Sequence, residues 1–327
     1  MAHKTSFVRD NDALLERAKR QAALYLKQPK RLSCMTCDAP IGAPSFLKLG
    51  VPYSVCDRCG HLNGHHVDTD EFCAALYTSD GGKSYAASYS AADREAYETR
   101  ARDIYAPKVG FLLDGLRAAG ERPERLKFAD LGAGSGYMLA ALADAGHDAQ
   151  GYEVSSVQIE HARSMRPSLR MHLHEAEEVY SIARDVEADV VTMIGVLEHL
   201  QRPRDLLAAL RRSARARFLY LSVPLLSLSV YVELAFPDAM PRHLSGGHTH
   251  LYTDQSLRHL SDEFGMERVA EWWFGLDVAD LYRSLLVSFG DGAQALLPAL
   301  DEAQAAIDRG RQSSEVHMLF RLKTASR

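Results

Sequence analysis

Across 327 residues the chain has no basic excess: 38 Lys and Arg stand against 43 Asp and Glu, for a net charge of −5 and a pI near 6.3. Proteins that hold nucleic acid or anionic membranes by diffuse electrostatics carry the opposite balance, so general binding of that kind is excluded. An apolar leader is also missing. The opening MAHKTSFVRDNDALLERAKRQ is polar where a secretory signal needs an apolar core, which points to the cytoplasm and to reduced cysteines. The one long apolar run, 218–236 (FLYLSVPLLSLSVYVELAF), is interrupted by Pro224, three serines and Glu233. It reads as a buried strand turning at the proline into an apolar loop or helix, not as a membrane span.

What is present is an ordinary globular composition, 46% hydrophobic and 25% charged, with room for one substantial core and a smaller attached unit. Basic residues gather in two places. Residues 1–33 hold eight Lys/Arg against three acids, and 202–217 hold six Arg against one acid. Both have amphipathic helical spacing, so a solvated helix face is the reading for each, ahead of an anion-binding patch.

Cysteine is scarce, but four of the five fall as CMTC (Cys34, Cys37) and CDRC (Cys56, Cys59), two C-x2-C pairs with eighteen residues between them. Each pair can present two thiolates from one turn at the roughly 2.3 Å that zinc requires, and two such knuckles complete a tetrahedron. Four cysteine ligands close the site to water, so this zinc is structural and folds a unit too small to hold itself together. His61, His65 and His66 follow the second knuckle and are the substitutes if a cysteine is not a ligand. Cys73 has no partner spacing and reads as a buried small apolar residue.

From residue 126 apolar runs alternate with helical stretches, the pattern of an α/β unit with a parallel sheet. The first run enters a glycine-rich turn, LKFADLGAGSGYMLAAL, that brings backbone amides and a helix N-terminus close to a ligand. A dinucleotide fold wants a third glycine at position 137, which here is Tyr137. The spacing is instead G-x-G-x-G, with Asp130 two residues ahead.

DLGAGSG resembles motif I of the class I S-adenosylmethionine (SAM) methyltransferases. The resemblance implies that Asp130, Gly132, Ala133, Gly134 and Gly136 receive the amino-acid end of SAM. Glu153, with Val154 beside it, ends the next strand seventeen residues beyond Gly136, where the family places the carboxylate for the ribose hydroxyls. MHLHEAEEV resembles the third strand end, so Glu175 and Ala176 take the adenine edge. ADVVTMIGVLEHLQRPRDLLAAL resembles the fourth-strand motif, with Ile194 and Gly195 at the strand end, a Leu-Glu-His-Leu helix start and Pro203. Some ubiquinone-type relatives carry an acid where this chain has Gly195, so a catalytic magnesium site on Glu198 and His199 lacks a ligand here. His199 either faces the methyl group or caps a helix. The similarity covers about 125–275 and implies a Rossmann-like α/β fold with a seven-stranded, mostly parallel sheet behind a small zinc-ribbon unit.

The resulting organisation is an N-terminal helix (1–30), a zinc-ribbon unit (31–70), a helical linker or lid (71–120) and a methyltransferase domain (121–327) with a helical insertion at 276–314. That insertion serves oligomer contact or walls the substrate. Five tyrosines in 76–106 sit where relatives fold a lid over SAM, and a plain linker helix is the other reading. The stretch HLSGGHTHLYT (243–253) lies in the loops after strand five that form the substrate mouth. His248 and His250, with His199, are the candidate catalytic groups, because a hydroxyl acceptor needs a positioned base; His243 and Tyr252 are candidates to bind the acceptor. Loop packing and a three-histidine metal site are the competing readings. Thr253 is expected to cap the helix that follows.

The four-cysteine unit, tyrosine segment and GHTHLYT together resemble sugar-modifying methyltransferases of antibiotic and surface-polysaccharide pathways. O-methylation of a sugar, nucleotide-sugar or phosphate-containing precursor, with SAM and structural zinc, is the leading expectation. An RNA methyltransferase with a zinc ribbon and a non-catalytic zinc-ribbon scaffold are the alternatives.

Overall fold

A computed structural model describes residues 9–77, 93–290 and 300–323. Contacts divide the chain into two units, each assembled from three stretches of sequence: 1–72, 223–259 and 273–316 in one, and 73–222, 260–272 and 317–327 in the other. Among the described residues the strands in chain order are β1 (Phe46–Lys48), β2 (Val51–Val55), β3 (Leu62–Gly64), β4 (Phe128–Leu131), β5 (Ala149–Glu153), β6 (Met171–Leu173), β7 (Val190–Ile194), β8 (Phe218–Pro224), β9 (His250–Leu251), β10 (Met266–Phe274) and β11 (Glu315–Leu322).

The second unit carries a seven-stranded sheet in the order β6-β5-β4-β7-β8-β11-β10. β6, β5, β4, β7 and β8 run parallel. β11 runs against β8, because Leu322 N–H reaches the Arg217 carbonyl (2.8 Å) at one end while Leu225 N–H reaches Ser314 (2.9 Å) at the other. Every residue of β4 and β8 is buried, as expected of strands whose two faces are both covered by helices. Leu112 and Leu116 of helix Ala106–Ala118 and Met138 and Leu142 of helix Tyr137–Asp144 pack with Phe128, Val190, Phe218 and Leu319 in the main core. The seven-stranded, mostly parallel sheet expected from the sequence is thus present.

Helix Pro203–Arg212 buries Leu206, Leu207, Ala209 and Leu210 on one side. Three of the six arginines in 202–217 are engaged by acids. Arg204 meets Glu263 through both terminal nitrogens (2.7 and 2.5 Å), Arg202 meets Glu177 (2.6 Å), and Arg217 pairs with Glu121. The 202–217 run is therefore a largely solvated face on which half of the arginines are paired with acids. The apolar run 218–236 resolves into β8 and helix Leu228–Ala235, and no described helix is long and apolar enough to cross a membrane.

The first unit is built on a four-stranded sheet, β1-β2-β3-β9. β1, β2 and β3 form an antiparallel meander between and around the cysteine pairs. β9 comes from the histidine stretch and pairs antiparallel with β3, setting Leu251 opposite Leu62 and His250 opposite Asn63. Helix Asn11–Tyr25 contributes Leu15, Ala18, Ala22 and Tyr25 to the interior. Thr253 caps helix Asp254–Phe264: its hydroxyl accepts the Ser256 N–H at 3.0 Å, and Ser256 Oγ accepts the Thr253 N–H at 2.9 Å. Segment 276–314 holds helices Asp277–Phe289 and Leu300–Arg309.

Candidate functional site

The glycine-rich turn stands at the end of β4. Gly132, Gly134 and Gly136 have φ of +72°, +54° and +75°, a region that side chains other than glycine rarely adopt. At Gly132 there is also no space, since an added Cβ would lie 2.6 Å from Val196 Cγ2. Glu153, at the end of β5 and 6% exposed, ties the neighbouring strand to this turn. Its carboxylate accepts the Gly134 N–H at 2.7 Å and the Ser155 N–H at 2.9 Å. Each oxygen keeps a further lone pair for a hydroxyl. Burial raises the Glu153 carboxyl above its ordinary range, while those backbone donors pull the other way.

Asp130 lies beneath the turn, buried, and accepts from Thr192 Oγ1 at 2.5 Å. Burial pushes its carboxyl up to about 7, against that hydrogen bond. Ile194 ends β7 and Gly195 follows with φ +68°. Glu175 and Ala176 open an exposed 3-10 turn just past β6, where Glu175 N–H donates to Glu178 at 2.7 Å. Val154 follows Glu153 and is half-buried. A close backbone turn with no room for side chains, a buried acid below it and carboxylates at the next two strand ends fit SAM. Leu197–His199 forms a separate 3-10 turn, and the helix begins only at Pro203. His199 is half-buried there, 4.0 Å from the Glu198 carboxylate.

One contributor to this turn has no motif in the sequence. Tyr97, fully buried in helix Arg94–Arg100, donates its hydroxyl to the Ser135 carbonyl at 2.9 Å and stacks on Tyr137 with centroids 4.6 Å apart. Tyr105 also stacks on Tyr137, with centroids 5.3 Å apart. Two of the five tyrosines in 76–106 thus anchor the approach to the turn; Tyr85 and Tyr89 lie outside the described residues.

In the first unit all four cysteine sulfurs lie within 4.8 Å of one another. The Cys34–Cys59 and Cys37–Cys56 separations are 3.6 and 3.5 Å, far beyond a disulfide. They match the edge of a tetrahedron with ligands about 2.3 Å from a central zinc, which is about 3.8 Å. The two knuckles close identically. Asp38 and Gly60, both at positive φ, donate to the carbonyls of Cys34 and Cys56, whose own N–H groups bond Ala39 and His61. Thr36 N–H and Asn63 Nδ2 point at Cys34 Sγ from 3.5 and 3.4 Å. The Cys59 thiol's hydrogen bond draws Cys34 down to about 4 and drives Cys59 up. The residues therefore fit zinc. The neighbouring histidines are engaged elsewhere, His65 Nε2 with Ser54 Oγ at 2.5 Å and His66 Nδ1 with the Gln28 carbonyl at 2.7 Å. Cys73 is half-buried in helix Asp70–Tyr77, more open than the sequence suggests.

The histidine stretch belongs to this same unit, and its three imidazoles do not converge on one point. His250 is 1% exposed and shares a 3.0 Å hydrogen bond with His61. Tyr252 stacks edge-on against both rings in the same sealed cluster. His243 is buried, and its N–H, with those of Arg242 and Leu244, donates to the buried Glu233 carboxylate. His248 is half-buried, with Nδ1 3.0 Å from the His243 carbonyl. Burial pushes His248 down to about 4.

A family model described as a methyltransferase domain matches residues 102–271. No curated protein matches the sequence. Among solved structures, magnesium protoporphyrin IX methyltransferase from Synechocystis PCC 6803 with bound SAH is similar at a TM-score of 0.50 and 14% identity, covering 78% of this chain and 100% of that one. The plantazolicin methyltransferase BpumL with SAH reaches 0.48 at 15% identity over 77% and 94%. A SAM-dependent methyltransferase from Archaeoglobus fulgidus reaches 0.43 at 15% over 70% and 100%. At such identities the likeness concerns the fold.

Proposed function

The chain belongs to the methyltransferase-domain family and is a SAM-dependent methyltransferase, and from that premise we propose that it methylates an oxygen of a small sugar-type acceptor, with His248 as general base. The acceptor class is a sugar, nucleotide-sugar or phosphate-containing precursor of surface polysaccharide or natural-product synthesis. Bound SAM supplies a methyl group already activated on sulfonium. What this chain's residues add is position and proton removal. Asp130, the glycine turn, Glu153 and the Glu175–Ala176 turn hold the donor; the histidine stretch serves the acceptor.

The observation that carries the reading is the His248 contact. A carbonyl oxygen only accepts, so the 3.0 Å bond to His243 requires the proton on Nδ1. Nε2 is then the basic nitrogen, and burial keeps the ring neutral at working pH. His250 is a weaker candidate because its Nδ1 already meets His61 inside the unit. The negative net charge, with Arg202, Arg204 and Arg217 already paired to acids, supports a small acceptor over RNA.

The test is methyl transfer from SAM to a panel of nucleotide-sugars and phosphorylated sugars, followed by mass spectrometry. His248→Ala should lower kcat by about a hundredfold, the usual scale for losing a general base, with SAM affinity unchanged. Intact turnover in that variant would remove His248 from the mechanism. Methylation of RNA with a steep salt dependence would replace the sugar reading.

A further inference from the structure

We propose that Asn63 is a positioning residue that couples the four-cysteine cluster to the histidine stretch, so that zinc in the cluster holds residues 248–252 in register. For catalysis this rests on the reading of His248 as base; as a statement about backbone order it stands alone.

Asn63 is 1% exposed in the middle of β3. Its side-chain amide faces the first knuckle: Nδ2 donates to Cys34 Sγ (3.4 Å) and to the His61 carbonyl (3.0 Å), and Oδ1 accepts the Met35 N–H (3.0 Å). Its backbone faces the other way and stands opposite His250 in β9. One residue therefore touches a metal ligand with its side chain and the histidine stretch with its main chain. The adjoining contacts repeat this link. Gly64 N–H donates to the Thr249 carbonyl at 2.8 Å, so close that a Cβ on Gly64 would lie 2.6 Å from that oxygen. His61, two residues past Cys59, shares its bond with His250. Gln255 Nε2 donates to the Arg58 carbonyl, inside the second knuckle, at 3.3 Å.

β9 is only two residues long and cannot hold its own register. The apolar interior of the knuckle region is equally slight, four cysteines with Ala39 packed against them among the described residues. Such a region takes its folding free energy from the metal, and groups that hydrogen-bond a metal's ligands set how firmly those ligands are oriented. Loosening the cluster should therefore release the β3-paired edge of β9 first, because its fastenings at Asn63 and His61 lie beside the knuckles. The bond from Thr249 Oγ1 to Asp68 (2.6 Å) and the backbone bonds of Tyr252 with Pro224 and Leu226 (3.3 and 2.8 Å) lie away from the knuckles and should outlast it.

Hydrogen exchange read by mass spectrometry tests this on the full chain, with the glycine turn 130–136 as internal reference. Stripping zinc with a chelator should raise exchange in 248–252 by about tenfold or more while leaving the reference unchanged. Asn63→Asp keeps the acceptor oxygen and removes both Nδ2 donors. It should loosen 248–252 even in protein that still carries one zinc per chain, lowering kcat while KM for SAM stays within about twofold. Restored zinc should re-protect 248–252 in the wild type but only partly in Asn63→Asp. Unchanged protection of 248–252 after zinc removal, or an Asn63→Asp effect spread evenly over 130–136 as well, would overturn the proposal. A fully active His248→Ala variant would remove the catalytic role and leave the exchange result untouched.

Discussion

A methyl group at position 132 would need a left-handed backbone, at φ +72°, and would also stand 2.6 Å from Val196 Cγ2. Gly132→Ala should therefore cost roughly 1–3 kcal/mol of local strain and weaken SAM binding by about tenfold or more, read by calorimetry. Beneath it, Asp130 carries a carboxyl pushed up to about 7 by burial, against about 4 in an unfolded chain. The unfolded state gives up that proton first as pH rises, so the native state loses stability between about pH 4 and pH 7 and stays lower above. Asp130→Asn never ionises and can still accept from Thr192. Its melting temperature should gain on the wild type across that window and hold the gain at pH 8, with little difference at pH 4; an equal difference at all pH values would contradict this. Arg283 is a second residue at odds with its surroundings. It is 7% exposed, neither terminal nitrogen has a hydrogen-bond partner among the described residues, and Asp280 is 3.6 Å away. Replacing a poorly satisfied buried cation by a hydrophobe is often neutral or stabilising, so Arg283→Met should raise stability by about 1 kcal/mol, measured by denaturant midpoint. The residues of the donor turn were legible because their chemistry imposes residue types at fixed spacing. Arg283 and Tyr97 were not, since their meaning lies in partners found only by folding.

A buried hydroxyl bond, Tyr97 to the Ser135 carbonyl, joins helix Arg94–Arg100 to the turn after β4. Tyr97→Phe leaves that carbonyl without its donor and should cost about 1 kcal/mol. Because the carbonyl belongs to the glycine turn, SAM affinity should fall by about fivefold, while Tyr105→Phe, whose ring stacking survives, should change it little. Equal effects of the two would show that the hydroxyl does not position the turn. At this scale the sequence was most readable where periodicity is local. The runs from β4 to β8 and the Thr253 cap stand where the apolar pattern puts them. The pairing of β9 with β3 was not readable. Two residues carry no period, and the partner lies 189 positions away, as the His61–His250 bond measures.

Each unit draws on three separate stretches of chain, and this sets what can be removed. A division at 30, 70 and 120 follows changes in sequence pattern, yet contacts group 223–259 with residues 1–72. Asn11 illustrates the dependence: its amide donates to the Asp238 carbonyl (3.0 Å) and accepts the Met240 N–H (2.9 Å). The backbone at Gly246 runs so close to helix Asn11–Tyr25 that a Cβ there would lie 2.5 Å from Gln21 Cβ. Deleting residues 1–72 would take away these contacts, the whole of β1, β2 and β3, and the partner strand of β9. A zinc ribbon that was a detachable appendage would leave the remaining chain folded. The contacts predict otherwise: a 73–327 fragment should be cut by protease within 236–252 under conditions where the full chain resists. The seven-stranded sheet, whose β4 to β8 core lies wholly outside the deleted stretch, should be the last part of that fragment to be digested. Resistance of 236–252 equal to that of the full chain would show that this segment keeps its fold without the ribbon.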